Sequence, residues 1–342
     1  MNYWWLIPTL AGISYALTAI LRRYALSRSL LDIPNGRSSH SVPTPRGGGV
    51  AIVLTFLAAL VALFAEDLIA QPIFFALSGA GALTAIVGFL DDHGHVAARW
   101  RLLTHFAAAS WGAYWLGGLP AISMFGVSMD LGLFGHLLAV VYLVWMLNLY
   151  NFMDGIDGIA AIEAVTVCLG GCLLYWANNA LDSIASPILL VACVAGFLCW
   201  NFPPARIFMG DAGSGFLGVI IGVLSLQAAW VSQELFWGWL ILLGVFIVDA
   251  TFTLLRRLVR GDKIYEAHRS HAYQFASRQF GRHLPVTLSV GLINVFWLLP
   301  IAFCVVYYRF DGAGALVIAY VPLVFLAMRY KAGQLEGESS KN

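Results

Sequence analysis

The feature that most constrains this chain is the alternation of long apolar runs with short polar gaps. Runs long enough to cross about 30 Å of hydrocarbon lie near 3–21, 47–65, 72–90, 102–119, 133–150, 159–177, 186–200, 213–231, 235–255, 286–307 and 312–328. Only 11% of the residues are charged, against about a quarter in a soluble domain. The sequence therefore predicts an all-α, polytopic integral membrane protein with 10–11 transmembrane helices, eleven if every run spans. The short run 186–200 and the Gly-rich run 213–231 are the candidates for a tilted, broken or re-entrant span.

The basic residues set the predicted orientation. If the N-terminus is outside, the cytoplasmic gaps hold 18 of the 19 Lys and Arg residues; these gaps are 22–46, 91–101, 151–158, 201–212, 256–285 and 329–342. Basic residues accumulate in cytoplasmic loops, so we expect a periplasmic N-terminus. We also expect one transmembrane domain over 1–330 and a short polar cytoplasmic tail over 331–342 that is disordered.

Acidic and amide side chains cluster in the same gaps, at helix ends. They form three groups: the pair Asp91 and Asp92, the series Asn148, Asn151, Asp154 and Asp157 with a period of three, and Asp211 in a Gly-rich stretch. Two carboxylates about 4 Å apart repel by roughly 4 kcal/mol at an effective dielectric near 20, so the clusters predict a bound cation and a polyanionic ligand. Oxygens of this kind suit Mg²⁺. Helix capping would explain Asp157 or Asp211 alone, but not the whole set.

Basic groups in the first and last cytoplasmic gaps are candidates for binding phosphate. The first gap carries Arg37, His40 and Arg46, followed by three glycines that allow close backbone approach. The last gap carries His268, Arg269 and His271. Arginine offers a planar fork to phosphate, and histidine donates hydrogen bonds near neutral pH. A membrane-surface anchor is the alternative for the first gap, and a zinc site for the last.

Taken together, these stretches resemble the polyprenyl-phosphate N-acetylhexosamine-1-phosphate transferases from about Asp32 to Tyr273. Residues 32–49 and the run His268-Arg269-Ser270-His271-Ala272-Tyr273 are most similar to the Gram-negative O-antigen-initiating enzymes of the Pseudomonas type. The resemblance implies a multi-pass protein of the bacterial inner membrane, commonly a dimer, with a cytoplasmic cleft. It also implies transfer of an N-acetyl-sugar-1-phosphate from a UDP-sugar to undecaprenyl phosphate, with release of UMP, in O-antigen or cell-envelope polysaccharide synthesis.

The resemblance also implies roles for individual residues. Asp211 would be the principal Mg²⁺ ligand and Asn151 a second one, with Mn²⁺ as a substitute metal. Asp91 and Asp92 match the adjacent acidic pair, of which one is a base or orients substrate. The phosphate and nucleotide contacts would come from Arg101, which stands where the family often has Lys, from His271 with His268 and Arg269 behind it, and from Asn148, Asp154 and Asp157. Tyr273 stands where another His is expected.

A transporter or flippase of an anionic lipid-linked sugar is the alternative function. Such a protein would need polar residues that continue through the middle of the membrane, whereas the apolar runs here are nearly uncharged at their centres. The acids Glu163 and Asp249 do fall inside apolar runs, where an ionisable side chain is a functional candidate by default. We expect each of them to bond a neighbouring helix, outside the site.

Overall fold

The computed structural model describes residues 3–34, 39–40, 42–94, 96–262 and 269–334. Its helices are α1 (Leu6–Ser27), α2 (Val50–Ala65), α3 (Gln71–His93), α4 (Ala98–Leu116), α5 (Gly132–Met153), α6 (Ile159–Ala177), α7 (Ala185–Asn201), α8 (Asp211–Val231), α9 (Gln233–Leu242), α10 (Gly244–Arg260), α11 (Ala272–Phe280), α12 (Leu284–Ile293), α13 (Leu299–Tyr308) and α14 (Gly312–Arg329). Two short 3₁₀ helices, Tyr3–Trp5 and Leu181–Ile184, are also present. There are two short antiparallel pairs of strands: β1 (Leu31–Asp32) with β2 (Thr44–Pro45), and β3 (Ile122–Met124) with β4 (Val127–Met129).

Each predicted apolar run overlaps a helix, which confirms the all-helical class. Within the described part of the chain, seven segments are long and apolar enough to span a membrane, or eight if the bent pair α9–α10 is one span. Helices α12 and α13 join through a π-helical turn, Asn294–Leu298, into a single segment of 25 residues. The chain is therefore built as a multi-pass membrane protein, while the count of eleven spans and the orientation stay predictions.

Helix α8 forms the centre of the bundle, because 89% of its most apolar stretch is buried. Glycines let its neighbours approach to backbone contact. A Cβ added to Gly218 would lie 2.5 Å from the Met146 carbonyl oxygen of α5, and one added to Gly88 of α3 would lie 2.6 Å from Ala212. This packing brings the ends of α3 and α5 to the first turn of α8.

The one bent pair among the described spans is α9–α10, where the chain turns by 68°. The sequence had predicted an unbroken run over 235–255 and a possible break in 186–200 or 213–231, which instead form continuous α7 and α8. The pair α9–α10 packs against α6 and against the turn Asn294–Leu298. Between these two elements, Asn294 Nδ2 donates to the buried carboxyl group of Glu163 at 2.7 Å. Glu163 thus joins α6 to the α12–α13 segment, in agreement with the expected bond to a neighbouring helix.

Connections at the site end of the bundle are held together by backbone hydrogen bonds. The Gly48 and Gly49 amides donate to the carbonyl groups of Phe208 and Met209 at 2.9 and 2.8 Å. A Cβ on Gly49 would lie 2.5 Å from Gly213 Cα, so the expected close approach of the glycine run occurs against the start of α8.

The predicted polar tail begins as packed structure. Ala332 is fully buried, and the Gly333 amide donates to the Ser270 carbonyl oxygen at 2.7 Å. Residues 335–342 of the predicted disordered tail lie outside the described residues.

Candidate active site

The adjacent acids at the end of α3 point in different directions. Asp92 is buried, and its two carboxylate oxygens accept the backbone amides of Asp211 and Ala212 at 3.1 and 3.2 Å. Carboxylates favour this position because the first turn of a helix carries partial positive charge. Gly210, which precedes the helix, has φ +79°, and a Cβ there would lie 2.6 Å from an Asp92 oxygen. Asp92 therefore fixes the end of α3 to the start of α8.

Asp91 faces the other way, into the cleft. One of its oxygens pairs with the Arg101 guanidinium, and the other accepts the Val96 amide at 2.9 Å. Arg101 Nη1 also lies 3.7 Å from Asp211 Oδ2. Asp91 and Asp92 therefore have different partners, and the cation beside Asp91 is Arg101.

Two cavities meet in the cleft. The first, of about 420 Å³, is lined by both polar and apolar groups; its lining includes Asp91, Arg101, Asn148, His271, Val87, Leu102, Leu147 and Phe152. The second, of about 400 Å³, is more polar, and its lining includes Asp92, Asp154, Asp157, His40, Arg46 and His283. Asn151 and Asp211 line both cavities. Gly155 and Gln274 also line both, so the junction of the two cavities holds one carboxylate, two side-chain amides and a glycine.

The predicted series of period three is split by the end of α5 at Met153. Asn148 and Asn151 are still helical, and Asn148 donates to the Val144 carbonyl oxygen at 2.7 Å. Asn151 Oδ1 accepts the hydroxyl of Ser214 in α8 at 3.3 Å. Asp154 and Asp157 follow in the loop before α6. The four side chains therefore line the cleft in sequence, from the first cavity to the second.

Negative charge in the second cavity is only partly balanced. The pKa of Asp154 lies well above its ordinary value because of burial and because of the nearby charges of Asp211, Asp92 and Asp157. Burial also disfavours ionisation of Asp157, but hydrogen bonds from His283 and the Ala205 amide outweigh it and lower the pKa of Asp157. Asp157 is thus paired with the His283 side chain. At Asp154, an added positive charge would favour the ionised carboxylate.

His283 is a site residue that sequence reasoning missed. Its Nδ1 lies 3.0 Å from Asp157 Oδ1, and its Nε2 lies 2.9 Å from the Ser39 carbonyl oxygen of the first loop. Burial disfavours the charged imidazole, but the bond to Asp157 outweighs that effect and raises the pKa of His283. The available signal was one more His in the strongly basic gap 256–285. His283 joins three connections that are remote in sequence.

Asp249 is the second residue missed, because we expected it to bond a neighbouring helix only. Its carboxylate accepts the backbone amides of Ala272 and Tyr273 at 2.9 and 3.0 Å, and lies 3.3 Å from His271 Nδ1. It therefore holds the first turn of α11 and orients the buried His271 ring, which lines the first cavity. Its place in an apolar run was the signal that could have found it.

The remaining predicted residues differ in whether the structure places them at the cavities. Arg46 lines the second cavity and donates to the Asp92 carbonyl oxygen. Tyr273 donates its hydroxyl to the Phe152 carbonyl oxygen at 2.9 Å, so it braces the end of α5. Arg269 does not occur among the described residues that line the two cavities; its carbonyl accepts from Arg278. Arg37 and His268 lie outside the described residues.

A ready-made metal site of three or more His, Cys, Asp or Glu side chains is not found in the described ranges. The residues at the junction nevertheless fit Mg²⁺, which takes one or two protein oxygens beside substrate phosphates. Asp211 and Asn151 offer such oxygens to both cavities. The described cysteines are unpaired and all lie on helices α6, α7 and α13, away from the cleft.

The sequence of this chain is similar to those of known proteins. Residues 74–229, from α3 to α8, match the family described as Glycosyl transferase family 4. A probable undecaprenyl-phosphate N-acetylglucosaminyl 1-phosphate transferase of Bacillus subtilis (strain 168) is 30% identical, covering 75% of this chain and 72% of that protein. The undecaprenyl-phosphate alpha-N-acetylglucosaminyl 1-phosphate transferase of Thermotoga maritima is 28% identical, over 85% and 88%.

A third relative, the decaprenyl-phosphate N-acetylglucosaminephosphotransferase of Mycolicibacterium smegmatis, is 31% identical over 76% of this chain and 73% of its own length. The matched family region contains the acidic pair, the Asn151 to Asp157 series and Asp211, all of which converge on the cleft. Sequence similarity and site geometry agree: this chain belongs to glycosyl transferase family 4, the superfamily of polyprenyl-phosphate hexosamine-1-phosphate transferases.

Proposed function

We propose that this protein transfers an N-acetylhexosamine-1-phosphate from a UDP-sugar to undecaprenyl phosphate, releasing UMP. The observation that carries the proposal is the meeting of a half-apolar and a polar cavity at Asp211 and Asn151. The two substrates, a lipid phosphate and a sugar nucleotide, need one compartment each, and their phosphate groups must lie side by side where the compartments meet. The names of the three relatives support the same reaction, with N-acetylglucosamine as the sugar, so UDP-GlcNAc is the donor we expect.

The first cavity suits the lipid phosphate and the second suits the nucleotide. The lining of the first combines the basic groups of Arg101 and His271 with the apolar side chains of Val87 and Leu102, which matches a phosphate on a hydrocarbon chain. In the second, Arg46 and His40 offer donors to a nucleotide phosphate or base. Binding in both places brings the two reacting groups to Asp211.

The reaction is one displacement at phosphorus. An oxygen of the lipid phosphate attacks the β-phosphorus of the UDP-sugar, and the bond from that phosphorus to the bridging oxygen breaks. UMP leaves with the electron pair. The lipid phosphate is largely ionised near neutral pH, so its attack requires no base. Arg101, oriented by Asp91, and His271, oriented by Asp249, reduce the repulsion between the two anions. Positioning and electrostatic stabilisation of this kind dominate phosphoryl transfer.

Asp211 and Asn151 are the residues that would hold Mg²⁺ or Mn²⁺. When bound, the ion would neutralise charge on the pyrophosphate. The raised pKa of Asp154 supports this proposal, because burial and three neighbouring carboxylates leave negative charge to be balanced there.

The reaction can be tested with purified protein, undecaprenyl phosphate and radiolabelled UDP-sugars, with UMP and labelled lipid measured together. We expect turnover in Mg²⁺ and its loss in Asp211→Asn. Asp262→Asn is the control, since Asp262 pairs with Arg257 and Arg260 outside the two cavities. Transport of a preformed lipid-linked sugar without UMP release would support the transporter alternative instead.

The metal has a readout apart from activity. Mg²⁺ should raise the thermal unfolding midpoint of the wild type and release protons, because a nearby cation favours ionised Asp154. Asp211→Asn should lose both effects. Full turnover in excess EDTA, or an unchanged Mg²⁺ response in the variant, would contradict the metal assignment and leave the transfer reaction standing.

We further propose that the enzyme acts in the inner membrane with its cleft cytoplasmic, as a homodimer, and starts O-antigen synthesis. The resemblance over residues 32–49 and the segregation of basic residues support this more specific role. Deletion of the gene in its host should abolish O-antigen, and expression of the wild type, but not of Asp211→Asn, should restore it.

A further inference from the structure

Two arginines share one tryptophan ring at the site end of the bundle, outside the cleft. The guanidinium carbon of Arg22, near the end of α1, lies 6.0 Å from the centre of the Trp200 ring in α7. That of Arg206, in the loop 202–210 before α8, lies 5.9 Å from the same centre. Tyr15 packs against the ring at 5.2 Å. We call Arg22, Arg206 and Trp200 the arginine–tryptophan cluster.

The cluster offers hydrogen-bond donors and positive charge without a matching anion. Neither arginine forms an ion pair with any carboxylate in the described ranges. The Trp200 indole Nε1 is buried and has no hydrogen-bond partner among the described residues. Two guanidinium groups stacked on one ring are held by cation–π attraction, but they repel each other. A ligand with an anionic oxygen would relieve that repulsion.

The cluster stands where a membrane lipid can reach it. Helices α1 and α7 pack tightly, since the Ser14 hydroxyl donates to the Cys193 carbonyl oxygen at 2.6 Å. Both helices end beside the cluster, on the predicted cytoplasmic side, and Arg206 is exposed. Basic pockets between transmembrane helices on this side bind anionic headgroups. We propose that the arginine–tryptophan cluster binds the phosphate of an anionic phospholipid headgroup, at a site separate from the substrate cleft.

Backbone bonds connect this site to the cleft. The Arg206 carbonyl oxygen accepts from Arg22 Nε at 3.1 Å, and the Arg206 amide donates to the Trp200 carbonyl oxygen at 2.8 Å. The neighbouring Ala205 amide donates to Asp157 Oδ2 at 3.0 Å. A headgroup that fixes Arg206 therefore also fixes the loop 202–210, which contacts Asp157 and leads into Asp211. Anionic lipid is expected to rigidify this loop.

The direct test is native mass spectrometry of delipidated protein titrated with phosphatidylglycerol or with phosphatidylcholine of the same acyl chains. Each basic residue near an anionic lipid contributes about fivefold in affinity, so Arg22→Gln with Arg206→Gln should weaken phosphatidylglycerol binding by roughly 25-fold. Trp200→Leu should weaken it less, because both charges remain. Phosphatidylcholine binding and the unfolding midpoint in phosphatidylcholine should stay unchanged.

The matched control is Arg99→Gln with Arg329→Gln. Each of these arginines stands over a single aromatic ring, Trp100 at 5.6 Å and Tyr330 at 6.0 Å. An equal loss of phosphatidylglycerol binding in this control would overturn the proposal in favour of general surface attraction. Displacement of phosphatidylglycerol by one equivalent of undecaprenyl phosphate would overturn it in favour of an acceptor-lipid site.

Hydrogen exchange tests the link to the cleft. Phosphatidylglycerol should slow amide exchange across residues 202–210 in the wild type and in the Arg99→Gln, Arg329→Gln control. It should not do so in the Arg22→Gln, Arg206→Gln variant. Unchanged exchange in the wild type would refute the link.

Discussion

At the scale of single residues, neighbouring acids with the same chemistry have opposite tasks. Asp92 gives both oxygens to the first turn of α8, while Asp91 presents Arg101 to the first cavity. The difference arises because successive side chains on a helix end leave the backbone in different directions. Replacing each of the two Asp residues by Asn should therefore distinguish the residue that stabilises the fold from the residue that acts in the reaction.

Asp92→Asn should lower the free energy of unfolding by about 0.5–2 kcal/mol, as for other lost N-terminal caps. Asp91→Asn should leave that free energy nearly unchanged but reduce turnover about ten- to hundredfold, through loss of a charged hydrogen bond. Thermal unfolding and transfer assays measure the two effects. The control is Asp130→Asn, at an exposed residue outside the two cavities, where the asparagine oxygen can still accept the Gly132 amide. Equal, mild effects at positions 91 and 92 would refute the division of roles.

Asp249→Asn should loosen His271, because an amide cannot accept all the hydrogen bonds that the carboxylate accepts. We expect a fall in kcat/KM of about ten- to hundredfold, the equivalent of one lost charged hydrogen bond. The rate at which diethyl pyrocarbonate modifies His271, followed by mass spectrometry, should rise. Thr253→Val, which removes only the 3.2 Å bond from a neighbouring hydroxyl to Asp249, should change both quantities little. Normal His271 reactivity in Asp249→Asn would contradict the positioning role.

The sequence predicted the acids of the site better than the groups that orient them. Asp91, Asp154 and Asp211 stand out because charge is rare in this chain and because they cluster in polar gaps. Asp249 and His283 act through contacts with residues 22 and 126 positions away in the chain. Spacing along one helix cannot reveal such contacts, since they depend on how the helices pack.

At the scale of elements, the cleft is assembled from connections that hold one another in place. His283 bonds Asp157 in the loop before α6 and Ser39 in the first loop, and Asp157 in turn bonds Ala205. These loops have little apolar surface to bury, so polar bonds must fix their positions. Their order therefore depends on the protonation of one histidine.

The pH dependence follows from the directions of the two pKa shifts. The pKa of His283 is raised, so its contribution to stability is complete below the ordinary value of 6.5 and is lost as the pH rises through the raised pKa. The pKa of Asp157 is lowered, so its contribution is present above 3.8 and is lost as the pH falls through the lowered pKa. The midpoint temperature of thermal unfolding should therefore fall by a few degrees as the pH rises through the raised pKa of His283.

His283→Gln should flatten that alkaline fall, because glutamine does not titrate. His136→Gln, at an exposed histidine that bonds only its own helix, should keep the wild-type profile. Thermal unfolding from pH 5 to pH 9 in one detergent provides the comparison. An unchanged alkaline fall in His283→Gln would assign the effect to another group.

Helices were easier to predict than their interruptions. Long apolar runs must satisfy their backbone groups internally in a membrane, so each run became helical. The bend between α9 and α10 lies in a run with the same apolar composition as its neighbours. The pair α9–α10 packs against α6 and the turn Asn294–Leu298, which Glu163 and Asn294 join by a hydrogen bond. No local pattern within residues 235–255 contains that information.

At the scale of the whole molecule, the arrangement of the cleft constrains the membrane topology of the chain. Asp91, Asn151, Asp211 and His271 line one cavity, so the connections that carry them must lie on the same side of the membrane. Reporter fusions after Asp67, Asp130, Asp182 and Glu234 should therefore read periplasmic, and fusions within 96–101 and 269–285 cytoplasmic. Asp91 and His271 found on opposite sides would contradict both the orientation and the shared site.

The glycine contacts around the first turn of α8 have a consequence for resistance to inhibitors. Added Cβ atoms at Gly88 and Gly210, which line the two cavities, would each lie 2.6 Å from neighbouring atoms, so these walls of the cleft tolerate almost no side-chain variation. A compound that contacts this backbone, rather than the apolar side chains around Leu102, would leave the target few single substitutions by which to escape.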